Sequence, residues 1–150
     1  MQHGDLLGRE LPRTSRQWSL RLFTDRHEVV YGPGLVVEEA WPERNIHSDH
    51  EAAKREGLPG AVASAPQLIS MVHQIMLSAF GEGWIAGGRI SVKMIKPVFV
   101  EDFTTAKGRI TGLTLESVAG EDRKRAHCDV RVERRDGTPV LIGTASALTA

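Results

Sequence analysis

The longest apolar pattern in the sequence covers residues 66–80 and has the period of an α-helix. Its apolar residues recur every three or four positions and share one wide face. They are Leu68, Ile69, Val72, Ile75, Met76 and Ala79. No charged residue occurs in this stretch, and Pro66 suits the first helical position, where its missing N–H would have no partner. The pattern predicts a long helix that is buried on most of its sides.

After this helix the pattern becomes that of β-strands. The predicted strands cover residues 85–92, 94–100, 104–115, 127–134 and 140–148. Asp136 and Gly137 predict a hairpin turn between the last two. Strands that follow one another without intervening helices favour an antiparallel sheet. We therefore expect an α+β fold in which an antiparallel sheet wraps around the long helix, in one domain over residues 1–150.

The region before the long helix contains shorter elements. Three short strands are predicted there, over residues 18–23, 28–31 and 35–37. A short helix is expected over residues 49–57. Ser48 or Asp49 can cap its start, and Gly57 ends it.

Composition excludes several classes of protein. The chain has 150 residues, and its 19 Lys and Arg balance its 19 Asp and Glu, so no net charge draws it to nucleic acid or anionic membranes. The single cysteine, Cys128, cannot form an internal disulfide or a cysteine-based zinc site. No apolar run approaches the ~20 residues that span a bilayer, and the N-terminus lacks the pattern of a signal peptide. We expect a cytoplasmic protein.

The candidate chemistry lies just before the long helix. His47 stands in a loop, two residues before Asp49. A neutral imidazole beside a helix N-terminus can move a proton, while free N–H groups of the helix hold a developing oxyanion. Because Pro66 has no N–H, the candidate donors are Ser64 and Ala65. Together these groups predict a site for a carbonyl-containing substrate.

Two sequence motifs resemble those of the MaoC-like (R)-specific enoyl-thioester hydratases and dehydratases, which have the hotdog fold. The first family motif runs Asp-x-Asn-Pro-(Ile/Leu)-His-x-Asp, followed by a short helix, a glycine and the central helix. Its matches here are Ile46, His47, Asp49, Ala52, Ala53 and Gly57. The second is a strand that ends in Pro-Val and a Gly-Asp turn, and it resembles residues 90–102. The resemblance covers roughly residues 45–148.

One departure from the family motif concerns the catalytic pair. The family's aspartate lies five residues before the histidine, where this chain has Pro42. Glu43, one residue further on, is the candidate replacement through a shifted loop. The resemblance implies that His47 acts as general acid/base and that an N–H at the helix start polarises the thioester carbonyl. Asn45 and Trp84 complete the candidate substrate-binding residues.

The resemblance implies a hydratase or dehydratase acting on an enoyl- or 3-hydroxyacyl-CoA thioester. An alternative is a catalytically degenerate hotdog subunit that pairs with an active one, and another lyase or a thioesterase on this fold stays open. Either main interpretation implies a homodimer or a hetero-oligomer with another hotdog chain. No cofactor is expected beyond the coenzyme A of the substrate, and no metal.

Several of these residues also have a purely structural interpretation. His47 can be a structural loop histidine that bonds backbone carbonyls, and Asp49 is expected to be a helix cap. His50 is expected to face solvent. His73, inside the long helix, can line a tunnel, but a buried histidine bonded to a backbone group is the favoured interpretation.

Overall fold

The computed structural model describes residues 6–19 and 45–149, and within these it contains three helices and five strands. In chain order they are β1 (Thr14–Gln17), α1 (His50–Arg55), α2 (Ala65–Phe80), α3 (Glu82–Gly87), β2 (Arg89–Met94), β3 (Phe103–Val118), β4 (Glu121–Arg134) and β5 (Pro139–Leu148). The strands form one antiparallel sheet in the order β1-β3-β4-β5-β2.

The sheet packs around one face of α2, which confirms the predicted α+β architecture. The buried residues of α2 are Leu68, Met71, Val72, Ile75 and Met76. They meet buried residues from the strands, among them Ala106, Ile110, Ala126, Val130, Val132, Leu141 and Ala145. The apolar period of residues 66–80 thus specifies the side of the helix that the sheet covers. No helix in the described part of the chain is long and apolar enough to span a membrane.

The opposite side of α2 is open in the single chain. Ser70, His73, Gln74 and Leu77 are all exposed. The expectation that α2 is buried on most of its sides is therefore wrong for the isolated chain, and so is the expectation that His73 is buried. The absence of charged residues on a helix face is therefore not enough to predict that the face is buried within a single chain.

The segment directly after α2 differs most from its prediction. Residues 82–87 form α3 rather than the start of a strand, and only residues 89–94 pair with β5. Short apolar runs flanked by glycines do not distinguish helix from strand by period alone. Gly83 lets α3 lie directly on the end of β5, because a Cβ there would lie 1.7 Å from the Leu148 carbonyl oxygen.

The strand predicted over residues 94–100 is also wrong, because residues 95–102 form a loop. The later strands are found as β3, β4 and β5, and Gly137, with φ +88°, makes the turn between the last two. Near the N-terminus the strand lies at Thr14–Gln17, just before the predicted one. The predictions for residues 20–23, 28–31 and 35–37 lie outside the described residues.

Cys128 is part of the core on β4. It is 1 % exposed, and burial raises the pKa of its thiol to about 12. A thiol with such a pKa stays neutral and unreactive at physiological pH. Cys128 therefore packs as a small apolar residue.

An ion pair ties the sheet to α3. Arg125 on β4 is buried and makes two bonds to Glu116 on β3, from Nε to Oε2 at 2.9 Å and from Nη2 to Oε1 at 2.7 Å. Its Nη1 donates to the Gly87 carbonyl at 2.7 Å and to Ser146 Oγ at 3.1 Å. One guanidinium thus joins three strands and the end of α3.

This ion pair predicts an acid-sensitive contribution to stability. The hydrogen bond from Arg125 lowers the pKa of Glu116. A carboxylate whose pKa is lower in the folded state contributes stability above its unfolded pKa and loses it as the pH falls through the folded value. We expect the free energy of unfolding to fall as the pH drops below about 4.3, the unfolded value for Glu. Urea unfolding of Glu116→Gln across pH is expected to give lower stability at pH 7 and a smaller decline in acid.

The matched control is Asp122→Asn. Asp122 is exposed at the β3–β4 hairpin and forms no ion pair with any residue in the described ranges. The Asp122→Asn variant removes the same charge as Glu116→Gln, and its free energy of unfolding is expected to change with pH as in the wild type. Identical acid profiles for Glu116→Gln and the wild type would contradict the assignment.

Candidate active site

The loop that carries His47 is held by Asn45. The Asn45 side-chain oxygen accepts from the His47 amide at 2.8 Å, and its carbonyl accepts from the Ser48 and Asp49 amides at 3.1 and 3.0 Å. Asp49 then caps α1, with Oδ1 accepting from the Glu51 amide at 2.8 Å. These bonds fix the backbone on both sides of His47. Asp49 has the capping role that the sequence indicates.

A backbone carbonyl fixes the orientation and tautomer of the His47 ring. Nδ1 lies 2.9 Å from the Val62 carbonyl oxygen. Because a carbonyl oxygen only accepts, Nδ1 carries the hydrogen in this bond. In the neutral ring Nε2 is then the nitrogen with the lone pair, so it is the atom that can take a proton from a substrate or water.

His47 and the start of α2 are connected through residues 61–63, which we call the 61–63 segment. The Val62 amide donates to the Ile46 carbonyl at 3.0 Å, and the Ala63 amide donates to the Val98 carbonyl at 2.9 Å. All three residues of the segment are buried. The segment therefore lies between the His47 loop and the 95–102 loop, and it leads directly into α2.

The first turn of α2 has one backbone donor without an acceptor among the described residues. The Ser64 amide and Oγ both donate to the side-chain oxygen of Gln67, at 3.0 and 3.1 Å. Pro66 has no N–H. The Ala65 amide has no acceptor within residues 6–19 and 45–149, and Ala65 is exposed. Of the two predicted donors, Ala65 is thus the one whose N–H stays available at the positive end of the helix.

The remaining candidates lie apart from this pair. Glu43 is outside the described residues. Trp84 is buried on α3, where its ring meets His73 edge-on with ring centroids 5.3 Å apart. His73 is eight residues after Ala65, roughly 12 Å along the helix axis. The structure therefore links His47 to Asn45 directly and to the start of α2 through Val62, whereas Trp84 contacts the middle of α2 at His73.

Two residues that support this arrangement, His50 and Asp102, were not predicted from the sequence to do so. His50 was expected to face solvent, but it is half-buried and its Nδ1 accepts from the Ala61 amide at 3.0 Å. In the 95–102 loop, Asp102 Oδ2 accepts from the Phe99 amide at 2.8 Å. Glu101 takes φ +75° at the position of the family's glycine, so the backbone keeps a turn that glycine usually makes.

Comparison with solved structures identifies the architecture. A chain of the ChsH1-ChsH2 complex from Mycobacterium tuberculosis aligns with TM-score 0.72 and 12% identity, over 97% of this chain and 99% of that one. The chain has the hotdog fold of MaoC-like hydratases and dehydratases. The (R)-hydratase from A. caviae aligns with TM-score 0.69 and 18% identity, over 96% of both chains. The MaoC-like dehydratase from Rhodospirillum rubrum aligns with TM-score 0.69 and 15% identity, over 95% of this chain and 91% of that one.

Sequence comparison alone finds no matching protein family and no matching curated protein. The likeness to these structures is therefore one of backbone fold, and most aligned positions hold different residues. Because a fold does not fix a reaction, the function has to be argued from the site.

Proposed function

We propose that the chain is a hydratase or dehydratase that interconverts 2-enoyl and 3-hydroxyacyl thioesters of coenzyme A. The observation that carries this proposal is the bond between His47 Nδ1 and the Val62 carbonyl. The bond fixes an imidazole whose basic atom is Nε2, and its acceptor, Val62, lies three residues before the available amide of Ala65. A general base and an oxyanion donor are the two groups that this reaction requires, and here the base is bonded to the 61–63 segment that leads to the donor.

The roles of the residues follow from the chemistry. In hydration, His47 Nε2 takes a proton from water as the water oxygen bonds to C3 of the enoyl group. The electrons of the C2–C3 double bond move toward the thioester carbonyl, whose oxygen gains negative charge and accepts from the Ala65 amide. The proton that His47 Nε2 took from the water is then delivered to C2 as the carbonyl re-forms, so that one water adds across the double bond and the imidazole is neutral again. Glu43 is the proposed carboxylate partner in these proton transfers.

The direct test uses purified protein and 2-enoyl-CoA substrates with short to long acyl chains. Loss of the enoyl-thioester absorbance and formation of 3-hydroxyacyl-CoA are the expected results. The reverse reaction from (R)-3-hydroxyacyl-CoA is expected to reach the same equilibrium. Absence of turnover in both directions with every chain length would refute the enzyme proposal.

The same proposal includes a second hotdog chain as partner. Strand β2 lies at the end of the sheet and pairs only with β5 among the described strands. Beside it, Leu77 and Ile85 are 46 % and 75 % exposed, next to a groove of about 620 Å³ that His73 and Trp84 also line. An unpaired strand edge and an open apolar helix face favour association.

We expect light scattering to show a dimer or a larger oligomer in solution. The double variant Leu77→Glu/Ile85→Glu places charge on the proposed interface and is expected to give a monomer. Leu115→Glu is the matched control, because Leu115 is 70 % exposed but lies on β3, which β4 and β5 separate from β2 in the sheet. A stable wild-type monomer, or equal loss of association in the control, would contradict this interface.

A second candidate function is a catalytically degenerate subunit that pairs with an active hotdog chain. Two observations favour it: Pro42 stands at the position of the family's aspartate, and one similar structure is the ChsH1-ChsH2 complex. Under this proposal the isolated chain has no turnover, and activity appears only when a second hotdog chain with the complete motif co-purifies with it. Full activity of an isolated homodimer would exclude the degenerate role.

A further inference from the structure

We infer that His50 is a positioning residue of the same site, and this inference rests on the proposed function. His50 acts through the 61–63 segment and has no proposed contact with substrate. Its role is to hold that segment so that the Ala65 amide and the His47 ring keep a fixed relation. His50 is not part of the family motif, and the sequence pattern predicts that it faces solvent.

The hydrogen bond of His50 defines what it does. Its Nδ1 lies 3.0 Å from the amide nitrogen of Ala61, a residue that is fully buried. Because an amide N–H only donates, Nδ1 of His50 must carry a lone pair, and the hydrogen of the neutral ring is on Nε2. This is the opposite tautomer from His47, whose Nδ1 donates to the Val62 carbonyl.

The ring of His50 is packed against the turn before the segment. A Cβ at Gly60 would lie 2.9 Å from His50 Nδ1, closer than real Cβ contacts come. Gly60 is itself buried. The absence of a side chain at residue 60 therefore lets the imidazole reach the Ala61 amide. The His50 ring and the turn at Gly60 are therefore closely packed against each other.

Residues 46–50 hold the segment at three backbone groups of two consecutive residues. His50 accepts from the Ala61 amide, Ile46 accepts from the Val62 amide, and His47 donates to the Val62 carbonyl. Loss of the His50 acceptor would leave a buried N–H unpaired, and such a group moves toward water or another acceptor. Movement of Ala61 would be passed to Val62, which orients His47, and along the chain to Ala65.

The test compares His50→Ala with His50→Asn. Alanine is a good first helical residue, so α1 is retained without the acceptor. In asparagine, Oδ1 is bonded to Cγ as Nδ1 is in histidine, so it can accept from the Ala61 amide. We expect His50→Ala to lower kcat roughly 10- to 100-fold with a much smaller change in KM, because misplaced catalytic groups affect mainly the chemical step. His50→Asn is expected to recover most of the lost kcat.

His127→Ala is the matched control for loss of a half-buried histidine. His127 lies on β4, where its Nε2 is 2.8 Å from Thr114 Oγ1, and its removal is expected to leave kcat unchanged. Wild-type kcat in His50→Ala would overturn the inference. A kcat in His50→Asn as low as in His50→Ala would also overturn it.

A second measurement does not depend on activity. Long-range ¹H–¹⁵N correlation at neutral pH is expected to show a proton on Nε2 of His50 and on Nδ1 of His47. Hydrogen exchange of the Ala61 amide is expected to accelerate in His50→Ala and to be protected again in His50→Asn. A proton on His50 Nδ1, or unchanged exchange in His50→Ala, refutes the positioning role. If the tautomers and the exchange rates are as expected but the wild-type protein shows no turnover, the proposed reaction is refuted instead. A catalytic role for His50 is then refuted as well.

Discussion

His47→Ala is expected to lower kcat for hydration of a 2-enoyl-CoA by roughly 10²- to 10⁴-fold, the usual contribution of a positioned general acid/base. The reason is that Nδ1 donates to the Val62 carbonyl at 2.9 Å, so Nε2 has the lone pair of the neutral ring and is the atom proposed to transfer the proton. Steady-state kinetics at neutral pH measure the effect. Because the lost interaction belongs to the transition state, kcat and kcat/KM are expected to fall together.

His47→Asn separates the catalytic role of His47 from a structural one. The asparagine side-chain N–H can donate to the Val62 carbonyl in place of Nδ1, but asparagine has no basic nitrogen at the position of Nε2. We expect this variant to unfold at the wild-type denaturant concentration and to be as slow as His47→Ala. Wild-type turnover in His47→Asn would show that the histidine only supports the loop.

Ala65→Pro is expected to lower kcat by roughly 10²- to 10³-fold, the cost of losing one oxyanion donor. Proline removes the Ala65 N–H without removing the helix, because proline is tolerated at the first helical position. The preceding residue is already compatible, since Ser64 has φ −79° and ψ 157°, the extended backbone that a residue before proline adopts. Ala65 is exposed, so the ring has room.

The control for this variant is Ala65→Gly, which changes the side chain but keeps the backbone N–H. Its kcat is expected to stay close to the wild-type value, and circular dichroism of both variants checks that α2 is intact. Equal activities of the proline and glycine variants would show that the Ala65 amide does not hold the thioester oxygen.

The long helix and the candidate loop could be predicted because their signals are local. A run of residues 66–80 with helical period and no charge has few alternatives, and Asp49 caps α1 through a bond to a residue two positions away. The hairpin at Gly137 is equally local. For such elements the short-range preferences of the chain agree with the fold, so the pattern is a reliable guide.

The wrong predictions concern features that depend on residues far apart in the sequence. α3 has an apolar composition like that of a strand, and as a helix it packs through Gly83 against Leu148, far along the chain. The role of His50 depends on a turn that brings Ala61 back to α1. The open side of α2 has the neutral composition of a buried face, which matches the proposed cover by a second chain. None of these relations is encoded in the period of a single segment.

The central claim is that the His47 imidazole and the Ala65 amide act on one thioester, and Raman difference spectroscopy of bound substrate tests it most directly. His47→Asn provides a slow enzyme in which a 2-enoyl-CoA can be observed before it reacts. We predict that its thioester carbonyl stretch shifts to lower frequency on binding, and that the shift disappears in His47→Asn/Ala65→Pro. An unshifted carbonyl in His47→Asn, or the same shift in both proteins, would contradict the account.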